Sequence, residues 1–438
     1  MSGPLVQLEI EKLVYGGDGL ARLPADEKGR RMAALIPFTL PGEQIEAKII
    51  SRKGGLARGE ARAWATRSPQ RTDPPCPYFG TCGGCHLQHG SYELQVAAKR
   101  DILRETFARA GLGEMPEIEA VSAGPWAYRN RIRVQVRHAP QWQIGYLQRR
   151  THLFLPIVEC PIAAPLLQRV IRIVQLPEAS ACAPAGLAEL EMFTNHDQSE
   201  LLFAASINSA PPANKSLQQW FEACREQLPE LRGIASFAAG ARHEEVRQAG
   251  TVGAAQIVYR AAGEDFRVSA GSFFQTNLFL LDALAQRVTR AVPDENLFQV
   301  LDLYAGVGLF SKLLARRGAT VTAVESSPSG SADLKENLRD FPSAQVVSMD
   351  VERFLAKMPP RPGAVVVDPP RAGLGPEVTR QLARTAAPVL VYLSCDPATM
   401  ARDLKALLAS GYKAERLEMI DMFPQTFHIE TLAVLRHN

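Results

Sequence analysis

Apolar and polar positions alternate at the start of the chain, through Val6, Leu8 and Ile10. The chain then turns at Tyr15-Gly-Gly-Asp-Gly19, and the alternation resumes over residues 32–38 and 45–50. A period of two interrupted by glycine-rich turns predicts short half-buried strands, closing here as a small OB-type β-barrel over residues 1–65. The pattern then breaks. Over residues 67–88, Pro69, Pro74, Pro75 and Pro77 exclude regular structure. Leu94, Val96, Ile102, Leu103 and Phe107 follow at roughly helical spacing, between Ser91 and Gly111. From 121 to 260 there are strand-like runs, 132–136 and 201–207, joined by Ala/Pro-rich connections, so residues 66–262 read as a central α+β domain.

After Phe266 strands alternate with helices. The expected strands are 299–304, 320–324, 345–349, 364–368, 389–394, 416–420 and 431–435. Such alternation predicts a doubly wound, Rossmann-like α/β domain over residues 263–438, with a parallel sheet covered on both faces. No internal repeat or low-complexity tract is present.

The ends of these strands carry the candidate chemistry. Val300-Leu-Asp-Leu-Tyr-Ala-Gly-Val-Gly308 runs from a buried strand into a glycine turn, where Gly306 and Gly308 let the backbone approach a ligand. A dinucleotide fingerprint would want Gly three residues after Gly308; Ser311 stands there, which disfavours a dehydrogenase. The second strand ends in Glu325, an acceptor suited to ribose hydroxyls, the third near Asp350, and the fourth in Asp368-Pro-Pro-Arg371. Acid-Pro-Pro sequences in this position occur in S-adenosylmethionine-dependent nucleic-acid methyltransferases.

Cys395 leaves the fifth strand into a turn, so its thiol can face a pocket, and Glu430 opens the final strand after a polar stretch. A thiol, a carboxylate and a methyl-donor site suit methylation at C5 of a pyrimidine, a poor nucleophile until thiolate attack at C6 makes it an enolate carbon. Glu430 is then the base for the C5 proton. The target base must be flipped out to expose both faces.

Composition adds a partner and a compartment. The 438 residues carry a net charge of +3, 46% hydrophobic and 22% charged residues, as in an ordinary globular chain. The charge is uneven: residues 48–71 hold seven basic side chains against Glu60, and 126–150 hold six Arg and no acid. These windows sum to +12 and leave −9 for the rest, and the second also contains Trp126, Tyr128, Trp142 and Tyr146, so RNA is the expected partner. No apolar run reaches the ~20 residues of a membrane span, and the first residues lack a signal peptide's character. A cytoplasmic, monomeric protein without membrane contact is expected. Cys76, Cys82 and Cys85 form C-x5-C-x2-C in Pro/Gly-rich chain, with Cys160 available as a fourth ligand. In a cytosolic protein such a set indicates metal before disulfide, and the spacing leaves zinc and iron–sulfur both open. Cys182 and Cys224 read as structural.

Residues 266–438 closely resemble the RNA uridine-5 methyltransferase family, through FFQTN at 273–277, DLYAGVG, DPPRAG, SCDPATMARD and DMFPQTFHIE in the family's order. The opening barrel resembles the family's TRAM domain, and the cysteine set its [4Fe–4S] motif. The resemblance implies Cys395 as nucleophile and Glu430 as base. It implies Gln275, Tyr304, Glu325, Asp350 and Asp368 as S-adenosylmethionine contacts, and an iron–sulfur cluster rather than zinc. The expected product is 5-methyluridine in 23S ribosomal or transfer RNA. Two other functions remain at this stage: cytosine-5 methylation by the same C6 attack, and a non-catalytic RNA-binding iron–sulfur scaffold. Two departures stand out: Ala305 replaces a frequent Cys, and Asp396 follows the nucleophile where Asn is usual. An unpaired carboxylate there would oppose thiolate formation.

Overall fold

A computed structural model describes residues 5–138, 141–208, 214–239, 246–357 and 362–437. Strands β1 (Leu5–Leu13), β2 (Asp18–Arg22), β3 (Ala33–Pro37), β4 (Gln44–Lys53) and β5 (Leu56–Thr66) close as a barrel in the order β1-β2-β3-β5-β4. Its interior holds Leu8, Ile10, Ile36 and Ile45, the apolar half of the alternating pattern. Closure pairs every strand on both sides and leaves no free edge.

The chain then crosses the Pro- and Cys-rich segment and enters α1 (Tyr92–Ala110), capped by the Ser91 hydroxyl and ended by Gly111 at φ 70°. Strand β6 (Ile118–Val121) follows. These two elements fall within the stretch expected to be central, yet they build the C-terminal layer. Leu103 and Phe107 share a core with Met400, Leu404 and Leu407, and β6 pairs in parallel with a late strand, Leu417 opposite Ile118. The apolar stripe of α1 finds its complement 300 residues later, and nothing local in the sequence announces that docking.

The central part is a seven-stranded sheet. It comprises β7 (Arg131–Arg137), β8 (Gln143–Leu147), β9 (Phe154–Pro156), β10 (Leu187–Thr194), β11 (Leu201–Ile207), β12 (Leu231–Ala239) and β13 (Val246–Gly253), in the order β13-β12-β11-β10-β7-β8-β9. Helices α2 (Pro165–Ile173), α3 (Pro177–Ser180) and α4 (Asn214–Arg225) cover it, packing Leu167, Val170 and Trp220 against Phe203 and Ile234. The arginine window that is unopposed in sequence is partly opposed in space. Arg131 and Arg133 meet Glu191 at 3.3 and 2.9 Å, and Arg149 and Arg150 meet Asp18 of the barrel at 2.5 and 2.6 Å.

A hairpin, β14 (Gln256–Ala261) and β15 (Glu264–Ser269), leads to the last layer. There α5 (Leu281–Arg290), α6 (Leu309–Arg316), α7 (Pro328–Leu338), α8 (Val351–Leu355), α9 (Gly375–Thr385) and α10 (Pro397–Ala409) alternate with seven strands. These are β16 (Val300–Leu303), β17 (Val321–Glu325), β18 (Ala344–Ser348), β19 (Ala364–Val367), β20 (Val389–Ser394), β21 (Tyr412–Ile420) and β22 (Glu430–His437). The sheet order is β18-β17-β16-β19-β20-β22-β21-β6. The wholly apolar or buried runs of β16, β19 and β20 are covered on both faces, as a parallel sheet requires. The sheet is mixed rather than fully parallel, because β22 runs antiparallel to both β20 and β21. No crossover helix separates β21 from β22, so the chain can only fold straight back. Among the described residues no helix is long and apolar enough to cross a membrane.

Candidate active site

A cavity of about 600 Å³ opens at the carboxyl ends of β16, β17, β19 and β20. It gathers Gln275, Tyr304, Gly306, Glu325, Asp368, Cys395 and Glu430, residues separated by up to 155 positions. The local backbone explains the convergence. Tyr304 follows β16 at φ 62°, a left-handed conformation strained for an aromatic residue, and Gly306 comes next but one at φ 58° with open space where a Cβ would project. Glu325, at the end of β17, reaches into this turn and accepts from the Gly306 amide at 2.8 Å and the Ser327 amide at 2.6 Å. Its carboxylate therefore shapes the turn as well as presenting oxygen to the cavity.

Two expected contacts do not line this cavity. Gly308 sits at φ 93°, and a Cβ there would lie 2.5 Å from the Leu334 Cδ1, so its glycine serves close packing of the turn on α7. Asp350 is the N-cap of α8, accepting from the amides of Glu352 and Arg353 at 2.9 and 3.3 Å.

The reactive groups lie where burial shifts their protons. The Cys395 thiol is pushed up to about 11, first by burial and then by Glu430, with Asp368 adding and Arg371 opposing. Burial, reinforced by Asp368, holds Glu430 protonated well above the usual carboxylate range. Burial likewise lifts Asp368 to about 7, against the Gln275 amide that donates to it at 3.2 Å. Two buried carboxyls and a thiol facing one another cannot all ionise, so the resting site holds protons that an incoming positive charge would release. Asp396 is not the unpaired carboxylate its sequence position threatened. One oxygen caps α10 through the Ala398 and Thr399 amides, and the other accepts from the Tyr15 hydroxyl at 3.0 Å.

Sequence reasoning missed several wall residues. Arg371 lies in the quoted Asp-Pro-Pro-Arg run and contacts the His428 Nε2 at 3.2 Å; His428 is itself pushed down to about 3 by burial and then by Arg371. Phe423 stands 5.7 Å from the His428 ring, and the Arg129 guanidinium 5.9 Å over Phe423. Arg129 comes from the central part, and only its place in a charged window hinted at function. Together they form an aromatic and cationic wall suited to stacking a base.

Cys76, Cys82, Cys85 and Cys160 line a separate cavity of about 210 Å³ with Tyr78, Phe79, Arg129 and Tyr146. Burial raises all four thiols, Cys82 to about 11 and Cys85 to about 12, and Cys160 adds to the rise of the other three. The Tyr146 hydroxyl and Arg129 favour the thiolate of Cys160. Among the described residues no group of three or more His, Cys, Asp or Glu side chains is arranged to hold a metal ion. Cys224 is a buried core residue, as its isolation in sequence implies.

Comparison with known proteins gives this geometry a family. Residues 241–438 match the model of the tRNA (uracil-5-)-methyltransferase family. An RNA methyltransferase of Aquifex aeolicus is 32% identical over 98% of this chain and 98% of its own length. The 23S rRNA (uracil(1939)-C(5))-methyltransferase of Pseudomonas putida is 31% identical over 99% of this chain and 94% of its own. Among solved structures, the Pyrococcus abyssi tRNA (uracil-54, C5)-methyltransferase in complex with S-adenosyl-L-homocysteine matches 99% of this chain and 100% of its own, at 25% identity and a TM-score of 0.75. With relatives above 30% identity aligned from end to end, and a shared methyltransferase fold, the chain belongs to the family of RNA uracil-5 methyltransferases.

Proposed function

We propose that this chain transfers the methyl group of S-adenosylmethionine to C5 of a uridine in RNA, with 23S ribosomal RNA, the substrate named for several relatives, ahead of transfer RNA. The observation that carries the reading is one 600 Å³ cavity in which a thiol and a carboxyl face the glycine turn of the sheet. S-adenosylmethionine supplies an electrophilic methyl on a sulfonium. Tyr304, Gly306 and Glu325 hold that donor, while Phe423 and His428 stack the flipped-out uracil.

Cys395 loses its proton to solvent, its thiolate Sγ bonds to C6, and the ring electrons pass to C5 as an enolate. C5 takes the methyl, and the carbon–sulfur bond to the donor breaks. Glu430, ionised at that stage, removes the C5 proton, the ring π-bond re-forms, and the thiolate leaves. The barrel (1–65) and the central part (66–262) act as the RNA-binding modules beside the methyltransferase part (263–438). In cells lacking the gene, mass mapping is expected to show one 23S rRNA uridine without its 5-methyl group, restored by adding the enzyme back. Methylcytidine as the sole restored product would overturn the reading.

The four cysteines support a [4Fe–4S] cluster. Their thiols line one hollow of about 210 Å³ together with Tyr78, Phe79 and Tyr146, and a four-thiolate set suits such a cluster. Cys76, Cys82, Cys85 and Cys160 would hold the cluster, whose ligands lie outside the catalytic sheet and whose part is to clamp the linker. Anaerobically purified protein is expected to be brown, with visible absorption lost in Cys82→Ser. A colourless zinc protein would reject the cluster.

A further inference from the structure

The turn between β1 and β2 reaches out of the barrel into the catalytic layer. Tyr15 donates its hydroxyl to the Asp396 Oδ2 at 3.0 Å, across 381 positions of sequence. Its ring meets Phe427 edge-on at 5.3 Å, and Phe427 in turn packs at 4.4 Å on His428 of the cavity wall. The rest of the turn is built for that reach. Gly17 has φ +84° and approaches so closely that a Cβ would stand 2.8 Å from the Cβ of His86. Asp18, with 4% of its side chain exposed, is held by Arg149, Arg150 and Arg58. The turn is therefore fastened to the central part on one side and delivers a phenol to the catalytic part on the other.

We propose that Tyr15 is a positioning residue for the nucleophile: its hydroxyl compensates and fixes Asp396 beside Cys395, so the docked barrel is part of the methyl-transfer site. This rests on the reading of Cys395 as nucleophile. Asp396 stands where a neutral residue would do the capping alone. Its Oδ1 is occupied by the amides of α10, so the remaining oxygen needs a donor if a negative charge is to sit next to a thiol that must ionise. Burial and Asp396 push the Tyr15 hydroxyl well above its ordinary range, so it stays a donor. The charged and titratable groups facing Cys395 are then Glu430, Asp368, Arg371 and Tyr15, with Asp396 satisfied on both oxygens.

The test is a double-mutant cycle on Y15F and D396N, reading single-turnover formation of the covalent enzyme–RNA adduct and, without RNA or donor, the alkylation rate of Cys395 by iodoacetamide. Y15F is expected to slow both by about tenfold, with RNA affinity unchanged. Y15F/D396N is expected to recover most of that loss, because the amide leaves no charge to compensate. Were Y15F to react at the wild-type rate, or were the double variant as slow as Y15F, the proposal would fall. If Y15F does not fold, alkylation of D396N decides: a rate within about twofold of wild type supports compensation by Tyr15, and a several-fold gain refutes it. Adduct formation by C395A would instead sink the nucleophile reading.

Discussion

Cys395→Ala is expected to abolish methyl transfer, lowering turnover by at least about 10⁴-fold, because among the described residues Cys395 is the one thiol lining the cavity, and addition at C6 is what activates C5. Glu430→Gln is expected to behave differently. Its adduct forms and the methyl is transferred, but the C5 proton stays, so a covalent enzyme–RNA species accumulates and is visible as a shifted band after denaturation. The two variants thus separate formation from resolution of the adduct. The pH dependence follows from the same geometry. With the thiol at about 11, the thiolate fraction rises about tenfold for each pH unit over the neutral and mildly alkaline range, and Glu430, also raised, gains its basic form in the same direction. Single-turnover adduct formation should climb accordingly. Full turnover by C395A would dismiss the nucleophile. A rate independent of pH would mean that the thiol proton is transferred within the attack itself.

How much of this was legible beforehand depends on how far each signal travels along the chain. The glycine turn, Glu325, Asp368 and Cys395 each sit at the end of a buried apolar run, and a parallel sheet brings such ends to one edge whatever the details of packing. Those residues could be read one strand at a time. Gly308 and Asp350 carry the same local signature, yet serve packing and capping, because φ > 0 and a helix N-terminus are common needs with or without a ligand. Arg129, Tyr15, α1 and β6 were misplaced or overlooked for the opposite reason. Each acts on the site from another part of the molecule, and a one-dimensional pattern has no term for a barrel turn that reaches the nucleophile. The charge windows indicate RNA, the substrate class of the family, but overstate how much charge is left for it. Arg131, Arg133, Arg149 and Arg150 are paired with carboxylates from distant segments, so part of the apparent excess secures the fold before it meets RNA.

The largest stability loss is expected at Asp421. Lys99 lies within α1 with 1% of its side chain exposed, and its Nζ donates to the Asp421 Oδ1 at 2.6 Å and to the Phe423 carbonyl at 2.9 Å. Asp421 is fully buried, and its own amide donates to the Val121 carbonyl of β6. The pair therefore ties α1, β6 and the loop from β21 to β22 into one knot. That loop carries Phe423, His428 and then Glu430 into the cavity, and Gln95 secures it further by reciprocal hydrogen bonds with Gln425 at 3.0 and 3.1 Å. Asp421→Ala leaves an ammonium buried with a single carbonyl, at a cost of about 3–5 kcal/mol. Burial already pushes Lys99 below its ordinary range, and Asp421 is what pulls it back. Without the carboxylate the unfolded state binds the extra proton more readily, so the variant's stability should rise with pH toward the ordinary lysine value of about 10.4. Replacing both partners, as Lys99→Met with Asp421→Leu, removes the stranded charge and should recover much of the unfolding midpoint. Turnover should stay low in Asp421→Ala even where it remains folded, since the loop that presents Glu430 has lost its anchor. Denaturant unfolding followed across pH 6 to 10 checks the whole set, and an unchanged midpoint in Asp421→Ala would show that the ion pair neither supports the fold nor holds the catalytic loop.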